Sequence, residues 1–223
     1  MHFNFIDFFL VIIPLVIAVI LHEIAHGYIA LQFGDTTARD AGRLSLNPVS
    51  HVDVFGSLLL PLILKLSGAP ILFGYAKPVP VNFARLRPFK TGTLAVASAG
   101  VAVNFSLALV SAALFRILIR FPHGVLASLP EAASVIILKF LFYSVTINVV
   151  LALFNLIPIP PLDGGRIVTA LLPVRLQIKL IPLERYGMLI LIVLLFTNSL
   201  DFFSAYFVTP LIRWLLPLPA GLL

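Results

Sequence analysis

From Phe8 to Leu21 the chain carries neither a charge nor a polar side chain, and this run most limits what it can fold into. His22-Glu23-Ile24-Ala25-His26 interrupts it, and Gly27-Tyr28-Ile29-Ala30-Leu31-Gln32-Phe33 then continues almost as apolar up to Gly34. As one helix, residues 5–33 would measure about 43 Å, enough to cross a hydrocarbon layer of about 30 Å even when tilted. A transmembrane helix is therefore expected, with two histidines and a glutamate at membrane depth. Polar groups are costly there, about 2.5 to 3.5 kcal/mol for a charged side chain on insertion scales, so such a cluster points to a functional site.

Composition agrees with a membrane protein. The 223 residues are 61% hydrophobic and 11% charged, with mean hydropathy +1.12, whereas charged residues make up about a quarter of a soluble domain. The formal charge of +6 and pI near 10.0 would suggest nucleic acid in a soluble protein. In this class, basic loops facing the cytoplasm and anionic lipid account for the excess, and no nucleic-acid partner is expected. The chain has no cysteine, which removes both disulfides and thiolate metal ligands. Any zinc must be held by imidazole and carboxylate. The first apolar run lacks a basic region ahead of it and contains the His-Glu motif, so it is not read as a cleaved leader.

The remaining chain reads as further spans and polar turns, with residues 1–223 forming one membrane-embedded domain. Gly34 to His51 is a polar loop containing Asn47-Pro48. Val52 to Leu66 is apolar but short, and with Ala69 to Phe73 it forms either a re-entrant hairpin or two cramped spans. Lys77-Pro78-Val79-Pro80-Val81-Asn82 cannot be helical through alternating prolines, and a small extended or β segment is expected. Thr93 to Leu118 is a second span, lined by Ala95, Ala97, Ser98, Ala99, Gly100 and Ala102, whose small side chains permit close helix approach. Ala132 to Ile157 is a third. After it, Pro158 to Arg166 is read as non-helical, a conformation tolerated at membrane depth only when buried or lining a wet cavity. Val168 to Leu183 reads as an interfacial helix, and Tyr186 to Leu216 as one bent span or a helical hairpin. The expected fold is an all-α polytopic membrane bundle of about four to six helices.

His22 and His26 lie four apart on a helix, so both imidazoles can reach one metal ion with Glu23 beside it. Catalytic zinc usually keeps three protein ligands and leaves one position for water. Asp163 is the leading candidate for the third, because it is a carboxylate at a broken helix end; the alternative is an ordinary Asp-Gly turn. His51 and Asp53 form a second polar pair at a loop edge. Asn104, Asn148 and Asn155 could donate to a substrate backbone or an oxyanion, or bond a neighbouring helix. For Asn104 and Asn148 the helix bond is favoured.

HEIAHGY in the first span, FGYAKPVPVN in the following loop, the small-residue helix reaching Asn104, and NLIPIPPLDGGRI after a later span together resemble the site-2 protease family of intramembrane zinc metalloproteases. The resemblance covers roughly residues 20–170 and is nearest to compact members without PDZ or CBS modules. It implies one Zn2+ per chain held by His22, His26 and Asp163, with Glu23 as the base that activates water. The substrate would be a transmembrane protein or peptide cleaved within or near its membrane segment. The rival reading from the residues is a non-proteolytic zinc-binding module or metal transporter; a free carboxylate beside the ligands favours hydrolysis. Lys and Arg counted over short loops put Arg39, Arg43, Lys77, Arg85, Arg87, Lys90, Arg166, Arg175, Lys179 and Arg185 on the cytoplasmic side and Arg116, Arg120 and Lys139 toward the other face. The site then lies nearer the cytoplasmic face of a prokaryotic cell membrane.

Overall fold

The computed structural model describes residues 5–59, 76–121, 124–173 and 199–217, with residues 63, 66, 175–177, 186, 187, 189–191, 193, 194 and 197. Three helices among them are long and apolar enough to cross a membrane: α1 (Phe5–Gln32), a helix at Phe89–Arg120 and one at Glu131–Asn155. A short α2 (Thr37–Asp40) follows the first span, so the two later spans are α3 and α4. α5 (Asp163–Leu171) follows, and helical turns over Ser199–Phe203, Ser204–Val208 and Thr209–Leu215 close the described chain. The chain is an all-α, polytopic integral membrane protein. The apolar segment 52–73 and residues 178–185, on which two sequence expectations fall, lie mostly outside the described residues.

A four-residue repeat decides which side of each span faces inward. On α1, Leu10, Pro14, Ala18 and His22 are buried, while Phe5, Phe9, Ile13 and Ile17 are exposed. Aromatic and branched side chains thus face the surroundings, as a lipid solvent favours, and the inward stripe ends on an imidazole. On α3, Gly92, Val96, Gly100, Asn104, Ala108 and Ala112 are buried at the same interval. α4 turns Leu141, Val145 and Val149, and beside them Ser144, Asn148 and Ala152, into the bundle. α3 packs against α1, α4 and α5, so its small-residue stripe is the axis of the structure. Lys139 on α4 reaches across to Asp7 on α1 at 2.8 Å, pairing an ion within the spans.

Two apolar clusters flank the polar interior. At one end Ala108, Ala112, Phe115, Leu141, Val145 and Val149 pack with Val208, Ile212, Leu215 and Leu216 of the C-terminal turns. Arg116 seals this end by donating to the carbonyls of Trp214 and Leu215. At the other, Ala30, Leu86 and Val96 pack with Ile29, Phe33, Val81 and Phe83, joining the end of α1 to the proline-rich loop and the start of α3.

That loop departs from its expected form. No strand occurs among the described residues, and residues 76–82 run as irregular chain. The prolines leave few amides to pair, and three of the loop's N–H groups are taken by other partners: Lys77 N donates to the His51 carbonyl at 2.9 Å, Val79 N to Glu23 at 2.7 Å and Asn82 N to Asp35 at 2.7 Å. A second departure concerns the Asp-Gly-Gly stretch. The break in the chain is confined to residues 156–162, and α5 starts at Asp163, so Gly164 and Gly165 are helical. Their use is close approach: a Cβ on Gly164 would lie 2.2 Å from the Leu156 carbonyl oxygen. α5 also ends at Leu171, earlier than the expected interfacial helix, because Pro173 drives Leu172 to extended backbone at ψ 155°.

Asp35 ties α1 to the loop. Its carboxylate is fully buried and accepts from the Thr37 amide at 3.1 Å, the Thr37 hydroxyl and the Asn82 amide. Burial pushes its pKa up, but these hydrogen bonds, with Arg85 nearby, outweigh burial and hold it below the usual carboxylate value. A lowered folded-state pKa stabilises above the unfolded value and is lost as pH falls through the folded one. Thermal unfolding in detergent should therefore show stability declining below about pH 4. Asp35→Asn makes that decline shallower, and Asp35→Ala lowers stability at neutral pH by about 2–4 kcal/mol.

Candidate metal centre

His22 and His26 leave α1 one turn apart on the face that meets α3. Their Nε2 atoms lie 3.0 Å from each other, and each is 3.3 Å from Oδ2 of Asp163, the first residue of α5. The three ligand atoms fall within 4.8 Å of one another, and His22 and Asp163 are buried. Glu23 is half-buried on the adjacent part of α1 and binds the Val79 amide through Oε2.

The outer nitrogens fix what the inner ones offer. His26 Nδ1 lies 2.7 Å from the Val96 carbonyl, which can only accept, so Nδ1 carries the proton. His22 Nδ1 lies 2.6 Å from Asn104 Oδ1. That amide's orientation is set further out: Asn148 Nδ2 donates to the Ser144 carbonyl at 2.9 Å, turning Asn148 Oδ1 toward Asn104 Nδ2 at 2.9 Å. Asn104 therefore shows its oxygen to His22, and Nδ1 of His22 donates. With neutral rings both Nε2 atoms then present lone pairs, to each other and to a carboxylate oxygen.

This donor set fits a cation. Asp163 Oδ2 is buried with no hydrogen-bond partner, and the lone pairs facing it repel unless positive charge lies among them. Two imidazoles and one carboxylate are a known ligand set for catalytic zinc. α3 keeps space for the rings at Gly100, where a Cβ would come within 2.5 Å of His22 Cε1 and His26 Nε2. No residue other than glycine leaves both rings in place.

The four main sequence candidates are thus in one place: His22, His26 and Asp163 converge, with Glu23 alongside. Asn104 is also present, but it is fully buried and spends its amide on His22, Asn148 and the Ala18 carbonyl. Its bonds thus join a ring of the cluster to the two neighbouring spans. Asn155 ends α4 and donates to the Leu151 carbonyl one turn back at 3.0 Å. His51 lies outside the cluster, its Nε2 2.7 Å from the Ser45 carbonyl, and Asp53 accepts from the Gly56 amide at 2.7 Å. Sequence reasoning missed the role of Gly100 and the Val96 carbonyl; for Asn148 it favoured the bond to a neighbouring helix that the structure has, without its consequence for His22. The spacing Gly100 to Asn104 held a signal, since it places both on one face of α3, but a small-residue stripe reads equally as generic helix packing.

Comparison with known proteins places this geometry in context. The family model of peptidase family M50 matches residues 10–197. YwhC of Bacillus subtilis, provisionally named a zinc metalloprotease, is 36% identical over 186 residues, covering 83% of this chain and 80% of the relative. Rip2 of Mycolicibacterium smegmatis, with the same provisional description, is 31% identical over 194 residues, 87% of this chain and 69% of the relative. Rip2 of Mycobacterium tuberculosis H37Rv matches over the same extent. No solved structure matches.

The outer hydrogen bonds give a direct test. Asn104→Ala should weaken zinc binding about 10- to 100-fold, read by zinc retention against a chelator of known affinity. Gly100→Ala should abolish stoichiometric zinc.

Proposed function

Because the chain belongs to peptidase family M50, we propose that this zinc metallopeptidase hydrolyses peptide bonds within or near transmembrane segments of membrane proteins. His22, His26 and Asp163 would hold the zinc and Glu23 would serve as the base, within a single membrane-embedded domain. One observation carries this reading: Glu23, a carboxylate that belongs to none of the three converging ligands, adjoins His22 on α1, and the Nε2 atoms of His22 and His26 meet one oxygen of Asp163.

Zinc supplies Lewis acidity, making water acidic enough to lose a proton near pH of about 7 and polarising the scissile carbonyl. The protein's residues do the rest. Glu23 accepts the water proton as the C–O bond forms, then delivers it to the leaving nitrogen as the C–N bond breaks. Asn104 and the Val96 carbonyl hold both rings with their Nε2 atoms inward, so neither ring swings toward solvent. Asn155, at the end of α4 beside the irregular stretch 156–162, is the side chain proposed to face substrate. A helical substrate hides its amides in backbone bonds and must be locally extended before attack.

The site's depth supports access from one face. His26 sits six residues before the end of α1, a rise of about 9 Å. The loop at that end carries Arg39, Arg43, Lys77, Arg85 and Arg87, and the positive-inside rule makes such an end cytoplasmic. The bacterial sources of the relatives support a bacterial cell membrane.

Glu23→Gln separates hydrolysis from plain zinc binding or transport. The purified variant should keep one zinc per chain while cleavage of a membrane-helix reporter falls about 10²- to 10⁴-fold. Unaltered cleavage would remove the peptidase reading. Chelation should abolish the wild-type rate and added zinc restore it.

A further inference from the structure

We propose that the peptide N–H of Val79 is a positioning group for Glu23: it holds one carboxylate oxygen so that the base faces the metal cluster in one orientation. This rests on the reading of Glu23 as the base.

Glutamate has three rotatable bonds, and Glu23 stands on a lipid-depth helix among Leu21, Ile24 and Ala25, none of which has a polar side chain. What it meets is the loop from Lys77 to Asn82, which crosses α1 and donates Val79 N–H to Oε2 at 2.7 Å. Pro78 and Pro80 have no N–H, so Val79 is the one residue of that tripeptide able to donate a main-chain bond. Each proline also biases the residue before it toward extended backbone, which removes much of the freedom that could swing this amide away.

The strap is fixed on both sides of the contact. Arg43 donates to the Lys77 carbonyl at 2.8 Å and the Pro78 carbonyl at 3.3 Å, and Lys77 N is held by the His51 carbonyl. Beyond Val79, Asn82 N is held by the buried carboxylate of Asp35. The Val79 side chain is itself buried and lies against α1 at Gly27, where a Cβ would come 2.7 Å from Val79 Cγ1. Gly27 is one turn past Glu23, so the missing side chain lets the strap descend to the height of the carboxylate. An anchored donor on a charged acceptor is a strong, oriented bond, and it leaves the second oxygen of Glu23 for proton exchange. The same contact withdraws Val79 N–H from pairing with a substrate strand.

Replacing the Val79 amide by an ester, with α-hydroxyisovalerate introduced at that codon in the full-length chain, removes the N–H and keeps the side chain. The expected result is kcat lowered about 10- to 100-fold, KM within about twofold and zinc content unchanged. Metal-free protein gives a readout independent of turnover. The ester should lower its melting midpoint when Glu23 is present and leave it unmoved in Glu23→Ala, a coupling that an ordinary structural strap contact would not show. The same ester at Val81 should keep full kcat. Full kcat in the Val79 ester, loss of zinc, absence of coupling, or an equal loss at Val81 would each overturn the proposal, the last in favour of strand pairing with substrate. Undiminished cleavage by Glu23→Gln in the same assay would instead mark failure of the peptidase reading, since the melting cycle reports the Val79 contact either way.

Discussion

Two imidazole nitrogens that face each other with lone pairs when their rings are neutral stand 3.0 Å apart in the interior of a membrane bundle, with a carboxylate oxygen 3.3 Å from both. As neutral imidazoles both rings point lone pairs at this spot, because their other nitrogens donate to oxygens that only accept. In a low-dielectric interior such an arrangement is unfavourable unless a cation offsets it. The fold is organised to hold it: α1 brings the rings, α3 brings the oxygens that orient them, and α5 brings the acid.

The four-residue repeat is how a mostly featureless apolar chain achieves this. In lipid there is little hydrophobic force to draw helices together, so close contact between small residues and buried polar bonds must do it. α3 carries both, with Gly92, Gly100, Ala108 and Ala112 on the stripe that also holds Asn104. The chain of amides from Ser144 through Asn148 and Asn104 to His22 joins α4, α3 and α1 by one run of hydrogen bonds. Helix packing and ring orientation are therefore the same set of contacts.

The proline-rich loop contributes in a different way. Its alternating prolines do not make a strand edge; they leave few amides, and those of Val79, Asn82 and Lys77 go to carboxylates at Glu23 and Asp35 and to a carbonyl at His51. Arg166, on α5 beside the third candidate ligand, stacks over the Phe83 ring 4.6 Å away, which links this loop to α5 as well as α1. The segment thus touches the two elements that deliver the site's acidic residues.

The apolar run around His22, Glu23 and His26 was enough to dictate a membrane helix with a metal-binding face, since helical spacing places residues four apart together whatever surrounds them. The absence of cysteine narrowed the donors, and the prolines before Asp163 marked the other half of the site. The tertiary structure alone decided the partners. Nothing local says that Asn104 will turn its oxygen toward an imidazole, that Gly100 must stay bare, or that Val79 will meet Glu23 across 56 positions of chain. Those contacts depend on how far apart two helices pack and how deep a loop descends. Such distances are set by many side chains at once and by no single stretch of sequence.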